Sequence, residues 1–262
     1  MIYVTGSNGL IGSRFIELCE KPITRVSYRE DVEDVFDHHE QSCLVHFAWS
    51  TTTRTTYDEI EKSVKYDVVN SKKLFDLYLN KNPKGKIIFL SSAGDLHTGY
   101  ERTVDESFQP SPKTLYGDCK LQVENILNGL DCKSVILRVS NVWGGKNNSK
   151  DRVNGLVDKL IKNLNTDNII ELYGDLKSRV DIIHVDDLVE LILKVIEKDN
   201  LVPHQTYLVG SQSLTIIEII DKISSDGSLL LKFNKKENKT YLHVENSRVR
   251  SAFEWNPYRK LV

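Results

Sequence analysis

Short apolar runs alternate with longer segments of helical periodicity through the first half of the chain. The apolar runs predict strands at 2–5, 24–28, 43–47, 86–91 and 134–139. The helical patterns predict helices at 11–20, 58–81 and 116–130. Strands separated by helices of this length form right-handed βαβ crossovers. The pattern therefore predicts an α/β fold, a Rossmann-like doubly wound parallel sheet with helices on both faces.

The pattern changes after residue 145. It predicts a helix at 153–163, a short strand at 169–173, a strand–helix unit at 180–196, a strand at 205–209 and a helix at 214–223. We expect a Rossmann domain made of residues 1–140 together with about 181–204. Residues 141–180 and 205–262 are expected to form a smaller C-terminal α/β part that binds substrate.

Composition narrows the class of protein. Apolar residues make up 40% of the chain, charged residues make up 27%, and the formal net charge is −2. These values are ordinary for a soluble globular protein and indicate no nucleic acid and no membrane partner. The four cysteines are widely spaced, which predicts reduced thiols and no metal site. The chain has no secretion-signal pattern and no apolar run of membrane-spanning length, so we expect a cytoplasmic protein.

A glycine-rich loop lies between the first predicted strand and the first predicted helix. Its residues are Gly6, Ser7, Asn8, Gly9, Leu10, Ile11 and Gly12. In such a loop one glycine permits a tight turn, one lets the backbone approach a pyrophosphate, and one lets the helix pack on the strand. The N–H groups of the helix N-terminus then bind the phosphates. The loop predicts binding of NADP or NAD.

The choice between the two cofactors depends on the residues that follow the second strand. Arg29 there favours the 2′-phosphate of NADP, whereas Glu30 favours the ribose hydroxyls of NAD. Arg14, in the first turn of the helix, is a second candidate phosphate ligand or an exposed helix-face arginine. We favour NADP and leave NAD open.

Three residues form a candidate catalytic set. Ser92 follows a buried strand, at the carboxyl end where ligands bind in open parallel sheets. Tyr116 and Lys120 lie one helical turn apart on one face. A lysine ammonium, together with the positive charge of a nicotinamide, would lower the pKa of the tyrosine. The tyrosine could then exchange a proton with a carbonyl or alcohol oxygen that accepts a hydrogen bond from the serine hydroxyl.

These residues, with several others in the same order, resemble the extended short-chain dehydrogenase/reductase family of nucleotide-sugar epimerases, dehydratases and 4-keto-reductases. The further matches are His46-Phe47-Ala48-Trp49, similar to the family's H-L-A-A, then Asp105-Glu106, Leu137-Arg138-Val139-Ser140-Asn141, and Asp181-Ile182-Ile183-His184-Val185-Asp186-Asp187. The resemblance covers nearly the whole chain.

The resemblance implies roles for individual residues. Ser92, Tyr116 and Lys120 would be catalytic, with Tyr116 and Lys120 also touching the cofactor. His46 and Ala48 would lie along the cofactor cleft, although His46 could equally be a packed strand-end histidine. Asn141 would approach the substrate diphosphate. Arg179 would bind the same diphosphate, although this arginine is displaced by one residue from its usual position in the family. Members of the family commonly dimerise through the helices predicted here at 58–81 and 116–130.

Departures from the family pattern bear on the reaction. Ala93 and Gly94 stand where family dehydratases carry acidic residues, so we expect no 4,6-dehydration. Gly94 and Lys146 replace the cysteine and histidine of the family's bifunctional epimerase-reductases, so that reaction is not expected either. Asp67 stands where the family has asparagine.

Two activities remain. The first is a 4-keto-reductase of a nucleotide-linked deoxysugar, with Tyr116 as proton donor to the C4 oxygen. The alternative is a nucleotide-sugar 4-epimerase with tightly bound NAD. The same three residues serve both, and Arg29 and the compact C-terminal part favour reduction. A non-catalytic sensor is disfavoured because the catalytic set is intact. The loops at 51–56, 95–100 and 145–151 would select the sugar. His97 in the second loop could touch the sugar, but we expect it to be an exposed loop histidine.

Overall fold

The computed structural model describes residues 1–27, 35–145, 155–163, 170–173, 175–224, 231–234 and 240–262. The strands are β1 (Ile2–Thr5), β2 (Ile23–Val26), β3 (Cys43–His46), β4 (Lys86–Ser92), β5 (Lys133–Val139), β6 (Asn141–Trp143), β7 (Ile170–Tyr173), β8 (Arg179–His184), β9 (Gln205–Val209), β10 (Gln212–Thr215) and β11 (Leu231–Asn234). The α-helices are α1 (Leu10–Leu18), α2 (Ile60–Ser63), α3 (Asn70–Lys81), α4 (Ala93–His97), α5 (Leu115–Asn128), α6 (Leu156–Asn163), α7 (Val185–Glu197), α8 (Ile216–Ile223) and α9 (Ser247–Phe253).

The large sheet has the strand order β2-β1-β3-β4-β5-β9, and every neighbouring pair is parallel. The order reverses between β1 and β3, which is the point where doubly wound sheets bind their ligands. The predicted Rossmann-like architecture is confirmed.

Both faces of the large sheet are buried. Along β4, Ile88 and Leu90 belong to one core with α7, whereas Ile87 and Phe89 belong to a second core with α3 and α5. Alternate side chains of a strand point to opposite faces, so a strand covered on both sides must be apolar throughout. Burying such a side chain stabilises the fold by about 1.5–3 kcal/mol.

The helix predicted at 58–81 is divided into segments. It begins with a 3-10 turn at Tyr57–Glu59, continues as α2, widens into a π-helix at Val64–Val69 and ends as α3. Within the π-helical turn Asp67 is fully buried, and its carboxylate accepts hydrogen bonds from the loop that follows β3. π-Helical turns inside α-helices are frequent at functional sites.

The smaller part contains a sheet of order β10-β8-β6 and a separate parallel pair, β11 and β7. Helices α6 and α8 pack over the three-stranded sheet in their own apolar core. Two strands lie in different sheets from those expected. β9 pairs with β5 in the large sheet, and β8 pairs with β6 and β10 in the small one. An apolar run predicts that a strand forms. Which neighbouring strand it pairs with is decided by contacts between residues distant in sequence.

The C-terminal segment is tied to α7 through Asp187, which is fully buried. Its Oδ1 lies 2.6 Å from Nη1 of Arg259, and its carbonyl oxygen accepts a hydrogen bond of 2.9 Å from the Trp255 indole. Asp187 therefore orders the chain terminus. Within the described ranges, no helix has the length and apolar character needed to cross a bilayer.

Candidate active site

The glycine-rich loop lies where the order of the large sheet reverses. Gly6 has φ +66°, and a Cβ there would lie 2.5 Å from the Ala48 backbone nitrogen. A Cβ on Gly12 would lie 2.2 Å from the Gly6 carbonyl oxygen. Both positions exclude a side chain, the first because the loop touches the segment after β3 and the second because α1 packs on the loop.

Gly9 differs from these two glycines. It is exposed, and among the described residues the nearest atom to a Cβ placed there is the Gly6 carbonyl oxygen, 3.3 Å away. Gly9 is also the N-cap of α1, and no side chain of the described residues caps this helix end. Uncapped N–H groups beside an exposed glycine fit the pyrophosphate of a dinucleotide.

His46 is a buried link between strands rather than an open cleft residue. Its Nδ1 lies 2.8 Å from Oγ1 of Thr5, which in turn accepts a hydrogen bond from the Ala48 N–H. Its Nε2 lies 3.0 Å from Oγ of Ser71, which donates to the Asp67 carbonyl. Because each hydroxyl has one proton, Thr5 donates to Nδ1 and Nε2–H donates to Ser71. Burial lowers the pKa of His46 to about 3, so the ring is neutral.

This placement modifies one expectation. Both ring nitrogens of His46 bond to the protein, which favours the packed strand-end histidine over a cofactor ligand. Ala48 is buried as well, with its backbone beneath Gly6.

The structure brings the three candidate catalytic residues together. Ser92 is the last residue of β4, and its hydroxyl hydrogen-bonds the Tyr116 side chain. Tyr116 lies in the first turn of α5, which begins after Thr114, whose hydroxyl caps the helix by accepting from the Gly117 N–H. Lys120, one turn later, donates a hydrogen bond of 2.7 Å to the Leu90 carbonyl oxygen.

In the protein without cofactor, the pKa of Tyr116 is raised and not lowered as the sequence suggested. Burial raises the pKa of Tyr116 to about 12, although the hydrogen bond with Ser92 opposes this. Burial also lowers the pKa of Lys120 to about 7, against the effect of the carboxylates of Asp67 and Glu124. The predicted lowering of the tyrosine pKa requires the nicotinamide charge as well, so it stays a prediction for the complex.

A carboxylate that the sequence analysis missed lies beside the tyrosine. Asp95 in α4 accepts a hydrogen bond of 3.0 Å from the Thr114 hydroxyl, and a Cβ on Gly117 would lie 1.7 Å from its Oδ2. Asp95 therefore packs directly against the start of α5 and raises the pKa of Tyr116. Ala93 is buried, and Gly94 is next to the Ser92 hydroxyl.

The predicted substrate ligands are half-buried and bonded to the protein. The Asn141 amide donates to the Asp181 carbonyl at 3.0 Å. Arg179 donates to the Ser213 carbonyl at 2.7 Å and lies 3.8 Å from Glu218.

Five residues singled out in the sequence analysis either lie outside the described residues or differ from expectation. Arg29, Glu30 and Lys146 lie outside the described residues. Arg14 is half-buried rather than exposed, and its guanidinium forms a two-point ion pair with Asp186 at 2.5 and 3.0 Å. The expectation for His97 was wrong. It is fully buried and accepts a hydrogen bond of 3.1 Å from Arg138.

A polar cavity of about 420 Å³ adjoins the loop after β3. It is lined by Ser50, Thr51, Thr55, Glu59, Lys62, Ser63 and Tyr66. Thr51 connects the cavity to the catalytic set, because its hydroxyl accepts a hydrogen bond from the Trp49 indole and Trp49 contacts the Tyr116 ring.

Residues 2–210 match the model of the NAD dependent epimerase/dehydratase family. The chain belongs to this family. The resemblance found in the sequence is thereby confirmed, and this epimerase/dehydratase family member is an NAD(P)-dependent enzyme of the short-chain dehydrogenase/reductase type.

Relatives of this family member include reductases and epimerases. It is 24% identical to the dTDP-4-dehydro-6-deoxyglucose reductase of Escherichia coli, over 90% of this chain and 82% of that protein. Among solved structures, it resembles the UDP-glucose 4-epimerase of Thermotoga maritima with UDP-glucose at a TM-score of 0.85 and 20% identity, covering 99% of this chain and 94% of the other. RMD from Pseudomonas aeruginosa complexed with NADPH has a TM-score of 0.81 and 16% identity, covering 99% and 95%. The structural likenesses show a shared fold.

Proposed function

We propose that this enzyme reduces the 4-keto group of a nucleotide-linked deoxysugar with NADPH or NADH. The observation that carries the proposal is the contact of Ser92 with Tyr116 one helical turn from Lys120. The reductase from Escherichia coli supports the choice of substrate class.

The state of Tyr116 suits reduction. Its raised pKa keeps the phenol protonated near neutral pH, and a protonated phenol is the form that donates. In the proposed step Tyr116 gives its proton to the C4 oxygen, while the Ser92 hydroxyl donates a hydrogen bond to the same oxygen. A reduced dinucleotide bound at the glycine-rich loop would supply the hydride to C4, and the ketone would become a secondary alcohol. Lys120 as an ammonium makes the phenol more acidic as the reaction proceeds.

The glycine-rich loop is proposed to hold the cofactor. Gly6 and Gly12 shape the loop. The backbone of Ser7, Asn8 and Gly9, together with the first N–H groups of α1 at Leu10 and Ile11, would bind the pyrophosphate. Arg29 and Glu30 would decide between NADP and NAD. Solved structures of the same fold hold either cofactor, since RMD is complexed with NADPH and the UDP-glucuronic acid 4-epimerase of Bacillus cereus with NAD.

The substrate would lie between the catalytic set and the smaller part. Asn141 is proposed to approach the diphosphate, and Arg179 could do so after exchanging its bond to the Ser213 carbonyl. The polar cavity beside Thr51 supports a role for the loop at 51–56, because hydroxyl-lined cavities suit the hydroxyls of a sugar.

A 4-epimerase is the second candidate. It is supported by the likeness to the UDP-glucose 4-epimerase and to the UDP-glucuronic acid 4-epimerase of Bacillus cereus, solved with UDP-glucuronic acid and NAD. An epimerase must first oxidise C4, which requires Tyr116 to act as a base. Its raised pKa disfavours that first step in the protein alone.

The nucleotide released when purified protein is denatured separates the two activities. A reductase would release little cofactor and would take up NADPH when it is added. Stoichiometric release of NAD would contradict the reductase and support the epimerase. Arg29→Ala is expected to raise the KM for NADPH far more than that for NADH, and Glu30→Ala to show the opposite preference.

We also propose that the enzyme forms a homodimer through the helical segments at 57–81 and 115–128. The described surface of the first segment exposes Tyr57, Ile60 and Val69, with fractional exposures of 55%, 44% and 55%. Other apolar residues of these two segments, Leu74, Phe75, Val123 and Leu127, are buried in the core and would not lie at the interface. Light scattering on Val69→Asp tests the proposal, which expects dissociation into monomers.

A further inference from the structure

We propose that Trp49 is a positioning residue that holds the amine of Lys120 beside Tyr116. The inference rests on the proposed function, since it assigns a role within the same reaction. Trp49 stands where the family pattern H-L-A-A ends in alanine.

The indole forms one wall of an aromatic enclosure around the lysine amine. Nζ of Lys120 lies 3.6 Å from the centroid of the Trp49 ring and 4.8 Å from that of Phe89. The Trp49 and Tyr116 rings meet edge to face, with centroids 6.3 Å apart. Nζ also donates to the Leu90 carbonyl. An ammonium over an indole face is attracted by the ring, most strongly where water is excluded.

Trp49 is itself fixed in place through Thr51 and Asp67. The indole N–H donates to Oγ1 of Thr51 at 2.7 Å, and this hydroxyl donates to Oδ2 of Asp67, also at 2.7 Å. The two oxygens of Asp67 further accept from the backbone N–H groups of Ser50 and Thr51, at 2.7 and 3.0 Å. A hydrogen-bonded chain thus runs from the π-helical turn to the ring over Lys120.

The identity of Asp67 supports the same conclusion. Both of its side-chain oxygens accept hydrogen bonds here, and the amide group of an asparagine could accept at one of these positions only. The departure from asparagine at position 67 is therefore linked to the departure from alanine at position 49. Together they fix the tryptophan that faces the catalytic lysine.

Several ionisable groups act on Lys120 from the surrounding elements. They are Asp67 from the π-helical turn, Glu124, Cys119 and Tyr116 from α5, and His46 from β3. Burial is the largest influence and lowers the pKa of the amine, while Asp67 and Glu124 raise it. The Trp49 ring provides part of that burial. Removing the ring admits water, which raises the pKa more than the lost attraction to the ring lowers it.

The test compares Trp49→Phe with Trp49→Leu in the full-length enzyme. The phenylalanine keeps an aromatic face over Nζ, whereas the smaller, non-aromatic leucine removes that face and lets water reach the amine. Trp49→Leu is expected to lower kcat by about 10-fold, a loss of the size expected for a partly desolvated cation–π contact. Trp49→Phe should retain at least a third of kcat. Tyr258→Leu removes an exposed aromatic ring of the C-terminal segment and serves as the matched control.

The pH profile distinguishes positioning from general packing. With the ammonium as the active form, kcat/KM falls as the pH rises through the lysine pKa of about 7. Trp49→Leu should move this fall to higher pH, and Trp49→Phe should leave it in place. Equal losses in both variants with unchanged pH profiles would overturn the proposal, as would full activity of Trp49→Leu.

A second readout does not need turnover. In protein labelled with ¹³C at the lysine ε carbons, the Lys120 resonance can be assigned with Lys120→Met and titrated. The proposal expects titration near pH 7 in the wild type and at higher pH in Trp49→Leu. If the wild type reduces no ketosugar yet the resonance shifts as expected, the proposed function fails and the positioning role stands. An unshifted resonance in Trp49→Leu overturns the positioning role.

Discussion

Arg138 on β5 and Glu124 on α5 form an ion pair in the protein interior. Nη2 of the arginine lies 2.6 Å from Oε2 of the glutamate, and Nε lies 3.1 and 3.2 Å from the two carboxylate oxygens. Glu124 is one turn beyond Lys120 and raises the pKa of that amine. The pair therefore joins the large sheet to α5, one helical turn beyond Lys120.

Removing one partner should destabilise the protein strongly. Glu124→Ala leaves the Arg138 guanidinium buried and unpaired, which costs about 3–5 kcal/mol of the free energy of unfolding. Urea denaturation measures the loss. Asp76→Ala, which breaks the exposed pair with Lys72, is the control and should change stability by about 0.5 kcal/mol or less. A loss below about 1 kcal/mol for Glu124→Ala would mean that water or another group compensates the arginine.

Alanine substitutions should separate the roles of the glycines in the loop. Gly12→Ala forces a Cβ to 2.2 Å from the Gly6 carbonyl, so both the free energy of unfolding and cofactor affinity should fall. Gly9→Ala has its nearest described contact at 3.3 Å and should keep stability within about 1 kcal/mol. It should nevertheless weaken binding of NADPH, because the methyl group would stand where the pyrophosphate approaches. Calorimetric titration with NADPH and thermal unfolding test both variants, and unchanged affinity in Gly9→Ala would contradict the assigned pyrophosphate site.

Stability should fall as the pH decreases below about 6.5, the ordinary pKa of histidine. The folded-state pKa of His46 is about 3, so between these values the unfolded chain binds a proton that the folded protein does not. One such proton changes the free energy of unfolding by about 1.4 kcal/mol per pH unit.

The variant His46→Gln tests this linkage. It should be less stable than the wild type at pH 7.5, because the hydrogen bonds to Thr5 and Ser71 are disturbed. Its free energy of unfolding should also depend less steeply on pH between pH 6 and 4. The slope should be smaller by the equivalent of about one bound proton. The exposed His38 provides the control, and His38→Gln should keep the slope of the wild type. Equal slopes for wild type and His46→Gln would mean that the ring is charged when folded.

The sequence was sufficient for features that are encoded locally. The glycine spacing, the serine at the end of a buried strand and the one-turn separation of Tyr116 from Lys120 each depend on a few neighbouring residues. The parallel sheet followed from the alternation of strands and helices. The roles assigned to these site residues remain predictions that the experiments above address.

Other features depend on contacts between distant parts of the chain. Nothing near His97 indicates that Arg138 will bury it, and nothing near Arg14 indicates Asp186 as its partner. The sheet to which β9 belongs is likewise decided by pairing with β5. The sequence does show that Asp67 replaces the family's asparagine. That this aspartate helps to hold Trp49 is visible only from the hydrogen bonds that Ser50 and Thr51 donate to it.

The most direct test of the proposed function is the oxidation of NADPH in the presence of dTDP-4-dehydro-6-deoxyglucose, followed by absorbance. We predict one NADPH consumed for each ketosugar reduced, and a loss of about 10²–10⁴-fold in kcat for Tyr116→Phe, the contribution of a general acid. NADPH binding by that variant should be nearly unchanged. Absence of oxidation with this and related nucleotide 4-ketosugars, together with interconversion of UDP-sugar C4 epimers at no net redox change, would contradict the account. Wild-type activity in Tyr116→Phe would contradict the catalytic assignment.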